Sequence, residues 1–293
     1  MRESKRGVVH LCLEMSPRTF VIIGLGLIGG SLGAALRKRF ARARVLGVSR
    51  SRRKINLAKR LGFIQNGGTS FQKVVSQADI VFVCTPVDTI GDIVEQVDQA
   101  AKPGTIVTDV GSTKGTIVRW ADRKRFRNIR FVGSHPLAGS HHGGLQYSTA
   151  NLFDGAVVFL TPTKKTDRRA RRAIASIWKL LGTRVSEMSP NAHDRVVDHV
   201  SHLPHGVASC LVNAVSSNSL RFSASGFLDT TRVAQADPAL WTPIFLTNRV
   251  HLACDLKRFR AVVDRLIDAL SRGARADIRR MLAAASLKRR QIG

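Results

Sequence analysis

Residues 20–38 read FVIIGLGLIGGSLGAALRK, with no charge before Arg37 and three glycines spaced G-x-G-x-x-G at Gly24, Gly26 and Gly29. Few features restrict a chain more. An apolar run of this kind is a strand buried on both faces, and it must enter a tight turn that opens directly into a helix. Gly24 permits the turn, Gly26 lets the backbone approach a pyrophosphate, and Gly29 allows helix and strand to pack closely. The anion then rests on the helix N-terminus, at Leu27 and Ile28. A membrane helix would need about 20 apolar residues, and this run is shorter and dense in glycine.

Strand and helix patterns keep alternating beyond the turn. Apolar runs at 43–49, 78–86, 105–112, 129–136 and 156–162 and a short one at 183–188 are separated by helical segments. The alternation predicts a Rossmann-type, doubly wound, mostly parallel sheet with helices on both faces. After Pro190 the strand signal stops. Residues 192–215 and 241–273 carry helical periodicity instead, which predicts an all-α C-terminal domain. The expected organisation is a disordered N-terminal extension over 1–17, a dinucleotide-binding domain over 18–190 and a helical substrate and dimerisation domain over 191–293. The helical part cannot shield its apolar faces alone, so a homodimer is expected.

Lys and Arg total 47 against 20 Asp and Glu, a formal charge of +27. Such a chain attracts anions, whether nucleic acid, acidic lipid, phosphate or carboxylate ligands. The charges are scattered rather than blocked, which favours solvated helix faces over a nucleic-acid surface. Cys12, Cys84, Cys210 and Cys254 form no C-x-x-C pair and are read as buried free thiols in a reducing, cytoplasmic setting. The N-terminus has two Glu and no long apolar run, so it is a poor signal peptide and no membrane association is expected.

A dinucleotide enzyme selective for NAD places Asp or Glu at the end of the second strand. Here the stretch is GVSRSRR: Ser49 and Arg50 stand where the acid is expected, with Arg52 and Arg53 behind. An acid there would repel a 2′-phosphate, whereas Ser and Arg bind one. NADP is therefore the expected cofactor, with NAD the alternative. Thr85 and Pro86, at the end of the 78–86 strand, join the expected cofactor contacts.

Three further segments carry chemistry. DVGSTKG (109–115) brings Ser112 and Lys114 to the carboxyl edge of the sheet, where open α/β sheets bind ligands. GSHPLAGSHHGG (133–144) is read as a strand-end loop carrying His135, a reasonable general base beside a nicotinamide. SHLPHGVA (201–208) carries His202 and His205 on a helix. No Cys or acid completes a ligand set with His141–His142 or His202/His205, so no metal site is expected.

GLGLIGGSLG, DVGSTKG, GSHPLAGS, SHLPHGVA and GFLDTTRVAQADPALWTPIFLTN occur in order over roughly residues 19 to 270. Together they resemble the prephenate and arogenate dehydrogenases of tyrosine biosynthesis. The resemblance implies oxidative decarboxylation of a cyclohexadienol dicarboxylate, with a hydride passing to the nicotinamide and aromatisation driving the step. It implies that His135 takes the ring hydroxyl's proton and that Ser112 orients this His and the nicotinamide. It assigns His205 to the substrate side chain, Arg232 to a substrate carboxylate, with Asp229 holding it, and Trp241 to the pocket wall.

Two departures bear on the substrate. His141 stands where many relatives have an acid suited to arogenate's ammonium, which favours the keto acid prephenate. Thr242-Pro243 follow Trp241 in place of Arg-Asp, and Pro243 is read as a helix start. Arogenate and an amino-substituted prephenate remain same-family alternatives. Residues 274–293 are read as one basic helix, leaving no room for a regulatory or mutase domain. A nucleotide-sensing, nucleic-acid-associated protein is the alternative of another class. A hydroxy-acid dehydrogenase is a third reading, but it would need a catalytic Lys in the helical domain.

Overall fold

The computed structural model describes residues 19–139 and 143–292. The expected extension over 1–17, Cys12 and His141 lie outside the described residues.

Six parallel strands form the main sheet, in the order β3-β2-β1-β4-β5-β6. They are β1 (Thr19–Ile23), β2 (Arg44–Val48), β3 (Asn66–Gly68), β4 (Ile80–Val83), β5 (Thr105–Asp109) and β6 (Ile129–Val132). Side chains alternate across the sheet, so every strand except the short edge strand β3 feeds two cores. Phe20, Ile22 and Phe82 point to one face, where they meet Leu32 and Leu36 of α1 (Leu27–Arg39) and Ile55 of α2 (Arg52–Arg60). Val21, Ile23, Val81 and Val83 point to the other. There they meet Val74 and Val75 of α3 (Phe71–Val75), Ile90 and Val94 of α4 (Ile90–Ala100) and Ile117 of α5 (Gly115–Arg123).

The expected doubly wound sheet is present, with two corrections. The 129–136 run is not one strand. It breaks at Gly133, whose added Cβ would lie 2.7 Å from Thr161 Oγ1, and continues as β7 (Ser134–Pro136) in a second sheet. That sheet, β7-β8-β9, pairs β7 antiparallel to β8 (Val157–Leu160), and β8 parallel to β9 (Arg184–Glu187). The last two apolar runs therefore do not extend the parallel sheet. Between them lies α6 (Arg168–Leu180), whose N-cap Asp167 accepts from Ala170 N at 2.8 Å. Its Trp178 is fully buried, edge-on to Phe82 and Phe153. The edge strand β3 and helix α3 carry too little apolar pattern to be read from sequence.

The described residues divide into two compact units: one over 19–197 with 235–248, the other over 198–234 with 249–292. The first includes α7 (Pro190–Val197) and a helix that returns to it later in the chain. The second opens on a π-helical turn, Asp198–His202, followed by α8 (Leu203–Ala214), α9 (Ser217–Leu220) and α10 (Ser225–Thr231). The returning helix α11 (Pro238–Thr247) buries Ile244 in the second core of the first unit, with Trp241 packed against it. Its N-cap is Asp237, which accepts from Ala239 N at 2.9 Å. Pro243 thus lies inside the helix rather than starting it; the Asp237-Pro238 pair is the start signal. The long α12 (Arg249–Ser271) and α13 (Arg275–Arg290) complete the second unit.

Of the cysteines, Cys84 is half-buried while Cys210 and Cys254 are exposed, so the expectation of buried thiols fails for the last two. Their helices turn these positions outward. Among the described residues no helix is long and apolar enough to cross a membrane.

Candidate active site

The glycine turn sits at the β1/β4 position of the sheet, where strand order reverses and open α/β sheets bind ligands. Gly24 has φ +96°, and a Cβ there would lie 2.5 Å from Cys84 O. A Cβ on Gly29 would lie 2.0 Å from Gly24 O. These two glycines are demanded by the protein itself. Gly26 is different: a Cβ there would meet nothing within 4 Å. The space above Gly26 is open, and α1 begins beside it with no acid in its first turn. A dinucleotide pyrophosphate fits that cradle, facing the unsatisfied amides of the helix N-terminus.

Ser49 lies half-buried at the tip of β2, and its Oγ accepts from Ser51 N at 3.2 Å. Arg50 and Arg52 are exposed beside it. Thr85 and Pro86 follow β4, with Thr85 Oγ1 accepting from Thr89 Oγ1 at 2.9 Å.

The chemistry-bearing loops of the first unit converge at the end of β5. Asp109 accepts from Gly111 N at 2.9 Å and Ser134 N at 3.2 Å, and it pairs with Lys114 Nζ. Lys114 also donates to Ser134 O at 3.0 Å. Neither charged side chain has any exposed surface. Lys114 therefore does not line the ligand edge as its position suggested; the carboxylate five residues earlier draws it inward. Burial pushes its ammonium below the ordinary lysine value, while Asp109 pulls it back. Ser112 lies half-buried on the same loop.

His135 lies within β7 rather than in a loop. Its Nδ1 is 2.9 Å from His193 Nε2, and His193 Nδ1 is 2.8 Å from Asp194 Oδ1. Asp194 also accepts from Lys114 N at 2.7 Å and Gly115 N at 2.8 Å, capping α5. Gly115 is needed for this approach, since a Cβ there would lie 2.6 Å from Asp194 Oδ2. Burial alone would raise the Asp194 carboxyl; His193 and the two amides overcome it and hold the group below its ordinary value. Burial pushes His193 below the ordinary imidazole value, against the pull of Asp194.

His193 and Asp194 did not stand out in the sequence. A His-Asp pair on a helix is common, and nothing in the chain's order links it to a histidine 58 positions away. Trp241 is half-buried on α11, edge-on to Phe245. That helix is tied to the Ser112 loop through Thr113 Oγ1, which donates to Thr247 Oγ1 at 2.9 Å.

In the second unit, His205 lies buried on α8, and burial pushes its imidazole toward the neutral form. Arg232 is exposed in the short turn Arg232–Gln235 that follows α10. His199 Nε2 donates to Asp255 Oδ2 at 2.8 Å, joining the π-helical turn to α12.

Known proteins share this fold. Residues 32–187 match the family model of the prephenate dehydrogenase nucleotide-binding domain, and residues 189–284 match that of its dimerization domain. The chain is 38% identical over 238 residues to prephenate dehydrogenase of Bacillus subtilis, a match covering 79% of this chain and 64% of that protein. It thus spans just under two thirds of that relative's length. It is 34% identical to cyclohexadienyl dehydrogenase of Zymomonas mobilis, covering 83% of this chain and 87% of that one. Prephenate dehydrogenase of Aquifex aeolicus, solved with hydroxyphenyl propionate and NAD+, superimposes with a TM-score of 0.87 at 34% identity, covering 94% and 98%. Arogenate dehydrogenase of Synechocystis gives 0.80 at 30%, covering 94% and 100%. This chain belongs to the prephenate and arogenate dehydrogenase family.

Proposed function

We propose that this enzyme oxidatively decarboxylates prephenate to 4-hydroxyphenylpyruvate in tyrosine biosynthesis, with NADP as hydride acceptor. The observation that carries the reading is the placement of the open Gly26 cradle and of His135, engaged at Nδ1, in one compact unit of a chain of this family. When bound, the nicotinamide supplies hydride-acceptor chemistry. His135 hydrogen-bonds the ring hydroxyl and takes its proton as the hydride leaves the same carbon. The ring carboxylate departs as carbon dioxide, and its bonding pair completes the aromatic ring. The proton then returns to the phenolic oxygen. Arg232 pairs with a substrate carboxylate, a task suited to its planar fork. His205 contacts the substrate side chain, Trp241 lines the pocket, and Ser112 would orient His135 and the nicotinamide.

The choice of prephenate rests on His141, which offers the ammonium of arogenate little compared with an acid. The choice of NADP rests on Ser49, Arg50 and Arg52, where an acid would select NAD. Absorbance of the reduced cofactor tests both, with prephenate or arogenate and NADP or NAD in all four combinations. Prephenate with NADP is expected to turn over fastest, and no turnover in any combination would sink the proposal. His135→Asn is expected to lower kcat by about 10²- to 10⁴-fold, Arg232→Ala mainly to raise KM, and Ser49→Asp to move preference toward NAD.

A further inference from the structure

We propose that His193 and Asp194 are positioning residues that hold His135 in a single tautomer, with the proton on Nδ1 and the lone pair on Nε2. The inference follows from donor and acceptor bookkeeping along one hydrogen-bonded line. Asp194 receives three donors: Lys114 N, Gly115 N and His193 Nδ1, at 2.7, 2.8 and 2.8 Å. A carboxylate held ionised by such contacts only accepts. The proton between Asp194 and His193 therefore sits on His193 Nδ1.

His193 has no exposed surface and packs edge-on against Phe159 and His135, with ring centroids 5.4 and 5.1 Å away. Lys114 and Asp109 face it as a buried ion pair of no net charge. Burial favours the neutral imidazole, which has one N–H only. With Nδ1 as donor, Nε2 must accept. The 2.9 Å contact then requires His135 Nδ1 to donate, and His135 Nε2 carries the lone pair.

The relay matters for a base that gains a proton during the reaction. His135 can be protonated at Nε2 with no rearrangement at Nδ1, and the resulting cation points through His193 at a carboxylate. The same carboxylate caps α5, so the loop holding Ser112 and the ring of His135 are positioned by one group. The consequence for catalysis rests on the dehydrogenase reading; the tautomer itself does not.

Nitrogen-15 NMR of the whole 293-residue chain labelled at histidine, without substrate, reads the tautomer directly. His135, identified by the signal lost in His135→Asn, is expected to show a protonated Nδ1 and an unprotonated Nε2. The reverse assignment, or an even mixture, would overturn the relay. His193→Phe keeps the packing against Phe159 but removes the acceptor. It is expected to lower kcat about 10- to 100-fold with both KM values within about threefold. His193→Gln, whose amide oxygen can accept from His135 Nδ1, is expected to recover much of that loss. A folded His193→Phe enzyme with full kcat would overturn the proposal. If that variant does not fold, the wild-type spectrum still decides. Absence of turnover by the wild-type enzyme would sink the functional reading and leave the tautomer test intact.

Discussion

Lys114 and Asp109 place a full ion pair where neither side chain meets water. Burying one such charge alone is prohibitive, and the pair persists because each charge neutralises the other and both take further hydrogen bonds. Asp109 takes two backbone amides and Lys114 a backbone carbonyl. The result is a rigid floor under the Ser112 loop and under β7. His193 lies beside this floor, and its depressed protonation has a stability consequence with a definite sign. In the unfolded chain its imidazole titrates near 6.5, while in the folded chain it resists protonation. Below that pH the unfolded state binds the extra proton, so stability present above about pH 6.5 is lost as pH falls toward the folded value. One unmatched proton contributes at most about 1.4 kcal/mol per pH unit. Urea midpoints taken at pH 7.5 and 5.5 should therefore fall more for wild type than for His193→Gln. Equal losses would mean that the ring is not held neutral. His205 shifts in the same direction and is common to both proteins, so it cancels in the comparison.

At the scale of elements, the first strand, the glycine turn and α1 were legible because their constraints are local. Period, turn chemistry and helix start lie within one continuous stretch. Pro243 drew the expected start of α11 too far along the chain; the Asp237 cap that starts it, like the Asp167 cap of α6, emerged only in the structure. What could not be read were the contacts between distant segments. The break at Gly133 depends on Thr161, and the inward turn of Lys114 depends on burial by strands and helices from across the unit. The His135–His193–Asp194 line joins β7 to α7 and then to α5. No periodicity encodes such a meeting. Within the turn, the glycines divide by what they serve. Gly29→Ala drives a Cβ to 2.0 Å from Gly24 O and is expected to destabilise the fold. Gly26→Ala meets no protein atom within 4 Å, so its melting temperature should stay within about 2 °C of wild type. Its dinucleotide affinity should nevertheless fall about tenfold or more, as its methyl occupies the approach to the pyrophosphate. Isothermal titration with NADP and a thermal melt separate the two effects. A Gly26→Ala protein that binds NADP normally would remove the turn from the cofactor site.

The whole molecule carries two surfaces that the fold alone does not explain. One is the charge of +27. Spread over the helices, it raises the local concentration of anions and should make kcat/KM for a dicarboxylate fall as salt rises. The other is apolar. On α12, Phe259, Val263, Ile267 and Leu270 recur at helical spacing on one face and are 40%, 36%, 55% and 58% exposed. A row of this kind left in water is unfavourable by about 25 cal/mol for each Å² that a partner surface would cover. Leu282 and Leu287 on α13 add to it, 63% and 59% exposed. These helices fall within the stretch that matches the family's dimerization domain. We infer that a second copy of the chain covers this face. A closed twofold contact lets the same stripe serve both copies. Sedimentation equilibrium should then return about twice the 32.0 kDa chain mass. Ile267→Glu with Leu270→Glu should shift the protein to monomer while the dinucleotide affinity stays unchanged. A dimer that survives both charges would place the contact on another face of the second unit.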